Sequence, residues 1–170
     1  MTELLIGTRK GLFALEGSPT DGFEVSARAF PGQSVEYAMR DPRSGRYFAS
    51  VTSWFYGPRI WMSDDPGGDW QQTEGLALPE GEAALAKIWV IQPGEEDGLV
   101  YAGGDPGCLF ESRDGGLTWA LNRGLWDQPT RKDWEPGGGG LCLHTIVPWP
   151  GDAARLTVAI SAPATPTFVP

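Results

Sequence analysis

The segment from Gly124 to Gly140 holds the side chains best suited to chemistry. It carries three carboxylates, Asp127, Asp133 and Glu135, together with Trp126, Trp134, Arg131 and Lys132. A pair of carboxyl groups hydrolyses a glycosidic bond when they stand about 5–5.5 Å apart (retention) or roughly 6.5–9.5 Å apart (inversion). Asp127, Asp133 and Glu135 are the candidate catalytic residues on that reading, with Asp105 in a nearby turn as a further carboxylate. The same mixture also holds sugars without reaction, because aromatic faces exclude water while a few charged heads fix orientation. The binding candidates are Trp126 and Arg131 here, Arg9 in an early turn, and Trp54, Tyr56 and Arg59 in Ser53-Trp54-Phe55-Tyr56-Gly57-Pro58-Arg59. Connections longer than about 12–15 residues are functional or disordered more often than shorter ones. The plainer alternative is a cover over a seam between sheets, with both tryptophans packed.

Three more ionisable residues share a position relative to proline. Glu36, Lys87 and His144 each stand six residues before Pro42, Pro93 and Pro150. If the three segments are equivalent strands, alternation sends these side chains to one side at one level. That is a polar ring, either hydrogen-bonded around water or used for a ligand. His144 is the only histidine, and Cys108 and Cys142 are the only cysteines, without a Cys-x-x-Cys. A zinc site would lack ligands, so no metal is expected. Both cysteines fall in apolar strands and are expected as buried thiols, with a disulfide or metal ligation as the alternative. No Gly-x-Ser-x-Gly, phosphate-binding glycine loop or dinucleotide fingerprint occurs, and no cofactor is expected.

The elements that position these residues are set by a repeated motif. Ser63-Asp64-Asp65-Pro66-Gly67-Gly68-Asp69-Trp70 and Ser112-Arg113-Asp114-Gly115-Gly116-Leu117-Thr118-Trp119 both fit Ser-x-Asp-x-Gly-x-x-Trp, 49 residues apart. The chemistry is that of a turn. Ser63, Asp65, Ser112 and Asp114 offer oxygens to backbone N–H groups, Gly67 and Gly116 permit the reversal, and Trp70 and Trp119 anchor the next strand. These eight residues are therefore structural.

Apolar stretches around the two motifs fall into repeating sets of four. First strands are expected over 34–41, 85–92 and 142–149, and second strands over 46–52, 99–103 and 155–161. Third strands are expected over 59–63 and 108–112, and fourth strands over 70–74 and 119–123. Residues 3–8, 11–16 and 23–29 match second, third and fourth strands with no first strand before them. Four short strands per repeat of this length are what a propeller blade needs. Residues 1–161 thus read as a repeat domain and 162–170 as an irregular Pro-rich tail.

The motif resembles the Asp-box of BNR-repeat β-propellers, found in sialidases, sortilin-type receptors and several glycoside hydrolases. Gly7-Thr8-Arg9-Lys10-Gly11-Leu12-Phe13 and the stretch from Gly124 through Gly137 to His144 are similar to a bacterial subgroup labelled as BNR-repeat glycosyl hydrolases. The resemblance covers nearly all of residues 3–161. It implies an all-β, incomplete propeller of about three to four blades of four-stranded antiparallel sheets. It places ligand-binding loops opposite the Asp-box turns. It also implies a longer parent whose C-terminal strand completes the first blade; a truncation, a frame shift near residue 162 or a self-assembling fragment would each give this chain. The sialidase motif aromatic-Arg-Ile-Pro has no match, since Gly57-Pro58-Arg59-Ile60 lacks the following proline.

The net charge of −9, without runs of like charge, disfavours nucleic acid and anionic membrane as partners. Gly (24) and Pro (15) make up nearly a quarter of the chain, as a turn-rich β protein requires. The N-terminus reads as a strand without a basic region, so a cytoplasmic location is expected. The expected partner is a small polar ligand or glycan, with self-association through open sheet edges. Three functions stay open: a binding propeller, a glycoside hydrolase using the loop carboxylates, and a structural or assembly module.

Overall fold

Runs of alternating and continuous apolar residues punctuated by Gly and Pro give fourteen strands among the described residues of a computed structural model. The structure describes residues 1–162 and the backbone of Phe168–Val169. The first sheet holds β1 (Thr2–Thr8), β2 (Gly11–Ser18) and β3 (Gly22–Ala29), in the order β1-β2-β3. The second holds β4 (Ser34–Arg40), β5 (Tyr47–Ser53), β6 (Gly57–Ser63) and β7 (Gln71–Gln72), also in chain order. The third holds β8 (Lys87–Pro93), β9 (Val100–Asp105), β10 (Cys108–Ser112) and β11 (Ala120–Leu121). The fourth holds β12 (Leu143–Trp149), β13 (Asp152–Ile160) and β14 (Phe168–Val169). All neighbouring strands run antiparallel. The chain divides into two compact units, Met1–Gln72 and Thr73–Pro170.

In the first unit β5 is buried on both faces from Tyr47 to Val51, which suits its unbroken apolar run. Leu12, Phe30, Val35, Ala49 and Val51 form a core, with Leu5, Ala38, Trp61 and Trp70 packed against it. Backbone meets backbone at Gly7, where an added Cβ would stand 2.5 Å from the Val35 carbonyl oxygen. Only a residue without a side chain allows β1 to approach β4 so closely.

The second unit repeats that contact. A Cβ on Gly103 would stand 2.7 Å from the Leu143 carbonyl oxygen, so β9 meets β12 as β1 meets β4. This makes β1 a second strand, the counterpart of β9. In the third sheet β8 pairs along the free side of β9; among the described residues no strand pairs along the corresponding side of β1.

Register corrects the polar ring. Each first strand carries a bulge against its second: between Val35 and Tyr37, between Ile88 and Val90, and between Leu143 and Thr145. The bulged residues are Glu36, Trp89 and His144. Trp89, not Lys87, is the counterpart of Glu36 and His144, because the strand reaches Pro93 two residues sooner than its relatives reach Pro42 and Pro150. The tail also departs from expectation. Phe168–Val169 pairs with Leu156 and Thr157 of β13 as a third strand, while 163–167 and Pro170 lie outside the described residues.

Candidate functional site

The two motif turns hold themselves together. The Ser63 hydroxyl shares its one proton between the Asp65 and Asp69 carbonyls, each 2.7 Å away, and the Asp65 carboxylate accepts from Gly67 N–H (2.9 Å). In the second turn Asp114 accepts from the Thr118 N–H (3.0 Å), the Thr118 hydroxyl (2.6 Å) and the Ser112 hydroxyl (2.7 Å). Gly116 N–H donates to the Ser112 hydroxyl at 2.9 Å. Partial burial pushes the Asp114 carboxyl upward, but the Thr118 and Ser112 bonds outweigh it and hold the group below the usual carboxylate range. Trp70 packs at a tilt against Phe30, with ring centres 4.9 Å apart. Trp119 is only 4% exposed, and its Nε1 donates to the Thr73 hydroxyl at 3.0 Å. The Ser and Asp oxygens that single out the motif are used by the turn itself.

At the opposite end of the strands in the first unit, three turns come together. The turn with Arg9 ends at Lys10, whose carbonyl accepts from Gly32 N–H at 3.0 Å. Residues 30–33 then lead into Ser34, which pairs with Thr52 at the root of the β5–β6 hairpin. That hairpin presents Trp54, Phe55 and Tyr56 to solvent, at 92%, 70% and 71% exposure. Three successive large side chains in a tight turn cannot all point into one core. The Ser53 hydroxyl accepts from the N–H groups of Phe55 and Tyr56 (3.2 Å each) and fixes the turn. The rings brace one another edge-on, at 5.2 Å for Trp54–Phe55 and 5.4 Å for Phe55–Tyr56. Below them lies a cleft of about 500 Å³ lined by Gln33, Ser53, Tyr56, Arg59, Trp61 and Gln72. Arg59 is half-buried and spends one nitrogen on the Pro58 carbonyl at 2.8 Å. Glu36 lies on β4 at this end, but its carboxylate is already bonded to the Ser34 and Thr52 hydroxyls at 2.9 and 2.8 Å. The structure therefore brings Tyr56 and Arg59 into one cleft, leaves Trp54 exposed on the same hairpin, and ties Glu36 into its own sheet.

In the second unit the segment from Gly124 to Gly140 lies against the Asp105-Pro106-Gly107 turn, at the end of β10 remote from Ser112. It begins in a short helix, α1 (Arg123–Trp126), capped by Asn122, whose side chain accepts from Leu125 N–H at 3.0 Å. A 3-10 turn follows over Arg131–Asp133. Trp126, expected as a ligand platform, is 7% exposed and has the Arg131 guanidinium 3.6 Å above its ring. Arg131 also donates to the Pro106 carbonyl at 2.7 Å. Both residues fasten the segment to its unit, so the packed-cover alternative describes them. Asp127 makes a two-pronged pair with Arg123, 2.8 Å for each bond, on the exposed face. Asp133 and Glu135 are exposed.

Burial leaves its mark on the residues beneath this cover. Cys108 and Cys142 are free and buried; burial pushes the Cys108 thiol up to about 12. The Asp105 carboxyl, partly buried, is raised, with Lys87 pulling in the opposite direction. Lys87 has its Nζ 4.8 Å above the Trp89 ring. His144 is exposed, with Nδ1 2.9 Å from the Thr145 hydroxyl. Among the described residues no group of three His, Cys, Asp or Glu side chains is arranged to hold a metal ion.

No family model matches the chain, and no curated protein matches it. Among solved structures it is similar to a GH74 xyloglucanase from Xanthomonas campestris, with a TM-score of 0.63 and 13% identity over 94% of this chain and 24% of that one. The chain spans about a quarter of that enzyme's length. At this identity the likeness concerns the fold: the chain is an all-β, partial β-propeller.

Proposed function

We propose that the chain is part of a BNR-type, Asp-box propeller that binds a glycan or small polar ligand at the loop end of residues 1–72. The observation that carries this reading is the hairpin bearing Trp54, Phe55 and Tyr56, whose rings are 70% or more exposed beside a cleft containing Arg59. Exposed aromatic rings cost solubility and contribute nothing to the core, which makes them suited to stacking on the apolar face of a sugar. Gln33, Ser53 and Gln72 supply neutral hydrogen-bonding groups, and Arg59 supplies one charged donor. Because the fold is similar to that of a xyloglucanase, xyloglucan oligosaccharides are the first ligands to try, within a broader glycan panel.

The test is a titration followed by tryptophan fluorescence, with Trp54→Ala and Tyr56→Ala variants. Binding should be saturable in the parent and weakened at least tenfold in the double variant. Equal affinity in the double variant, or no binding across the panel, would overturn the proposal. A chromogenic glycoside panel tests hydrolysis separately. That rival has less behind it, since Asp127 is engaged by Arg123 and Asp133 and Glu135 stand in solvent.

A further inference from the structure

The second unit carries a set of polar groups whose hydrogen-bonding capacity the packing leaves partly unused. Lys87 and Asp105 are opposite one another where β8 and β9 pair, yet no ion pair closes between them. The Asp105 carboxylate makes no hydrogen bond within the described residues. The glycine run stands over it: a Cβ on Gly140 would come within 2.7 Å of Asp105 Oδ2, and Gly140 has φ +101°. A side chain there would run into the carboxylate, so only backbone lies over it. Beside this pair the Trp89 Nε1–H is buried, and no oxygen or nitrogen of the described residues accepts from it. The indole N–H is turned to the Cys142 sulfur, which is a weak acceptor. A carboxylate without a hydrogen bond, an ammonium held only over a ring face and an indole N–H facing sulfur thus stand in one neighbourhood, at the base of the glycine run. A buried polar group without a partner is costly and asks for an explanation.

We infer that Asp105, Lys87 and Trp89 form a second ligand site, one that takes the hydroxyl groups of a neutral sugar or polyol. A hydroxyl is donor and acceptor at once. One hydroxyl donates to the Asp105 carboxylate while accepting from the Lys87 ammonium, so it bridges two charges that do not reach each other. A neighbouring oxygen accepts from Trp89 Nε1–H. A free anion would satisfy Lys87 and repel Asp105; a metal ion would do the reverse. Neutral hydroxyls fit both. The site does not rest on the aromatic cleft of residues 1–72, and it assigns roles to Asp105 and Trp89 that the strand spacing did not.

The test uses the full chain, labelled with nitrogen-15 and titrated with methyl β-glucoside and, separately, inositol. The Trp89 indole N–H resonance should shift saturably with at least one of them. Asp105→Asn and Lys87→Met should each weaken that binding roughly tenfold or more, as the loss of a hydrogen bond to a charged group requires. Trp54→Ala should leave it unchanged, which separates this site from the aromatic cleft. The buried Trp119 indole resonance serves as the check that each variant is folded, and if one variant does not fold the other still decides. A Trp89 resonance unmoved by both compounds, or a response unaltered in a folded variant, overturns the inference. A shift caused by phosphate and not by either polyol also overturns it.

Discussion

The tryptophan of the second motif turn allows a quantitative test. Trp119 is nearly enclosed, and its single polar atom is spent on Thr73, itself 3% exposed. Trp119→Ala removes the whole ring and should cost about 3–5 kcal/mol. Trp119→Phe keeps much of the apolar surface but deletes the N–H, so the hydrogen bond contributes about 1 kcal/mol of its loss. Thr73→Val keeps the shape of Thr73 and strands the indole N–H, at a cost of about 1–3 kcal/mol. Once Trp119 is Phe, that stranded group no longer exists. The Thr73 change should then be cheaper, and the double-mutant cycle should return a coupling of about 1 kcal/mol. Urea denaturation followed by circular dichroism gives all four free energies. Trp70→Phe is the control. Its Nε1 reaches only the Pro66 carbonyl of its own turn, at 3.3 Å from a half-buried ring, and that hydrogen bond should be worth no more than about 0.5 kcal/mol. A Trp119–Thr73 coupling below about 0.3 kcal/mol, the usual scatter of additive sites, would refute the reasoning.

Other outcomes follow from the same geometry. Trp54→Ala and Tyr56→Ala should change the unfolding free energy by less than about 0.5 kcal/mol, since both rings stand in solvent; a larger loss in urea denaturation would mean that the hairpin supports the fold. Gly103→Ala should destabilise by about 1–3 kcal/mol, because the added methyl runs into Leu143; an unchanged midpoint would show that β9 and β12 can part cheaply. The pH dependence of stability should carry two opposite contributions. Asp114 is held low, so its contribution is present above the ordinary carboxylate range and is lost as pH falls through its folded value. Asp114→Asn should flatten that acid limb. Asp105 is raised, so the folded state holds the extra proton and stability falls as pH rises from the unfolded to the folded value. Asp105→Asn should remove that fall, as measured by denaturation across an acidic pH series.

Much of this fold is legible in the sequence because local signals agree. Period-two apolar stretches and Pro-Gly turns mark nearly every strand within a few residues, and the Ser-Asp-Gly-Trp spacing marks the turns. Three consecutive aromatics between a serine and a glycine mark the exposed hairpin. What failed depended on register. The alignment on prolines assigned Lys87 to the place that the β8 bulge gives to Trp89, and a bulge leaves no fixed sign in one sequence. The tail 162–170 carries no glycine turn, yet Phe168–Val169 pairs with β13, since an edge needs only two residues to be extended by a bridge. Trp126 and Arg131 carry ligand-type side chains, but their stacking on each other is decided by the fold of the loop, which composition does not specify. Asp105 was visible only as one carboxylate among several; its distinction comes from Gly140 closing over it.

The tryptophan locks also bear on the order in which the molecule is made. Trp70 closes on Phe30, and Gly67 of the same turn lies against Ala27. Trp119 closes on Thr73, 46 residues earlier, and the adjoining Glu74 exchanges backbone bonds with Leu117 and Trp119. In each case the receiving residue follows the last strand of the preceding sheet, and it leaves the ribosome before the tryptophan does. Synthesis at about 5–20 residues per second gives the earlier segment seconds to settle first. Each turn is thus completed on chain that already exists. A nascent chain paused just beyond Gln72 would already hold both partners of its first lock.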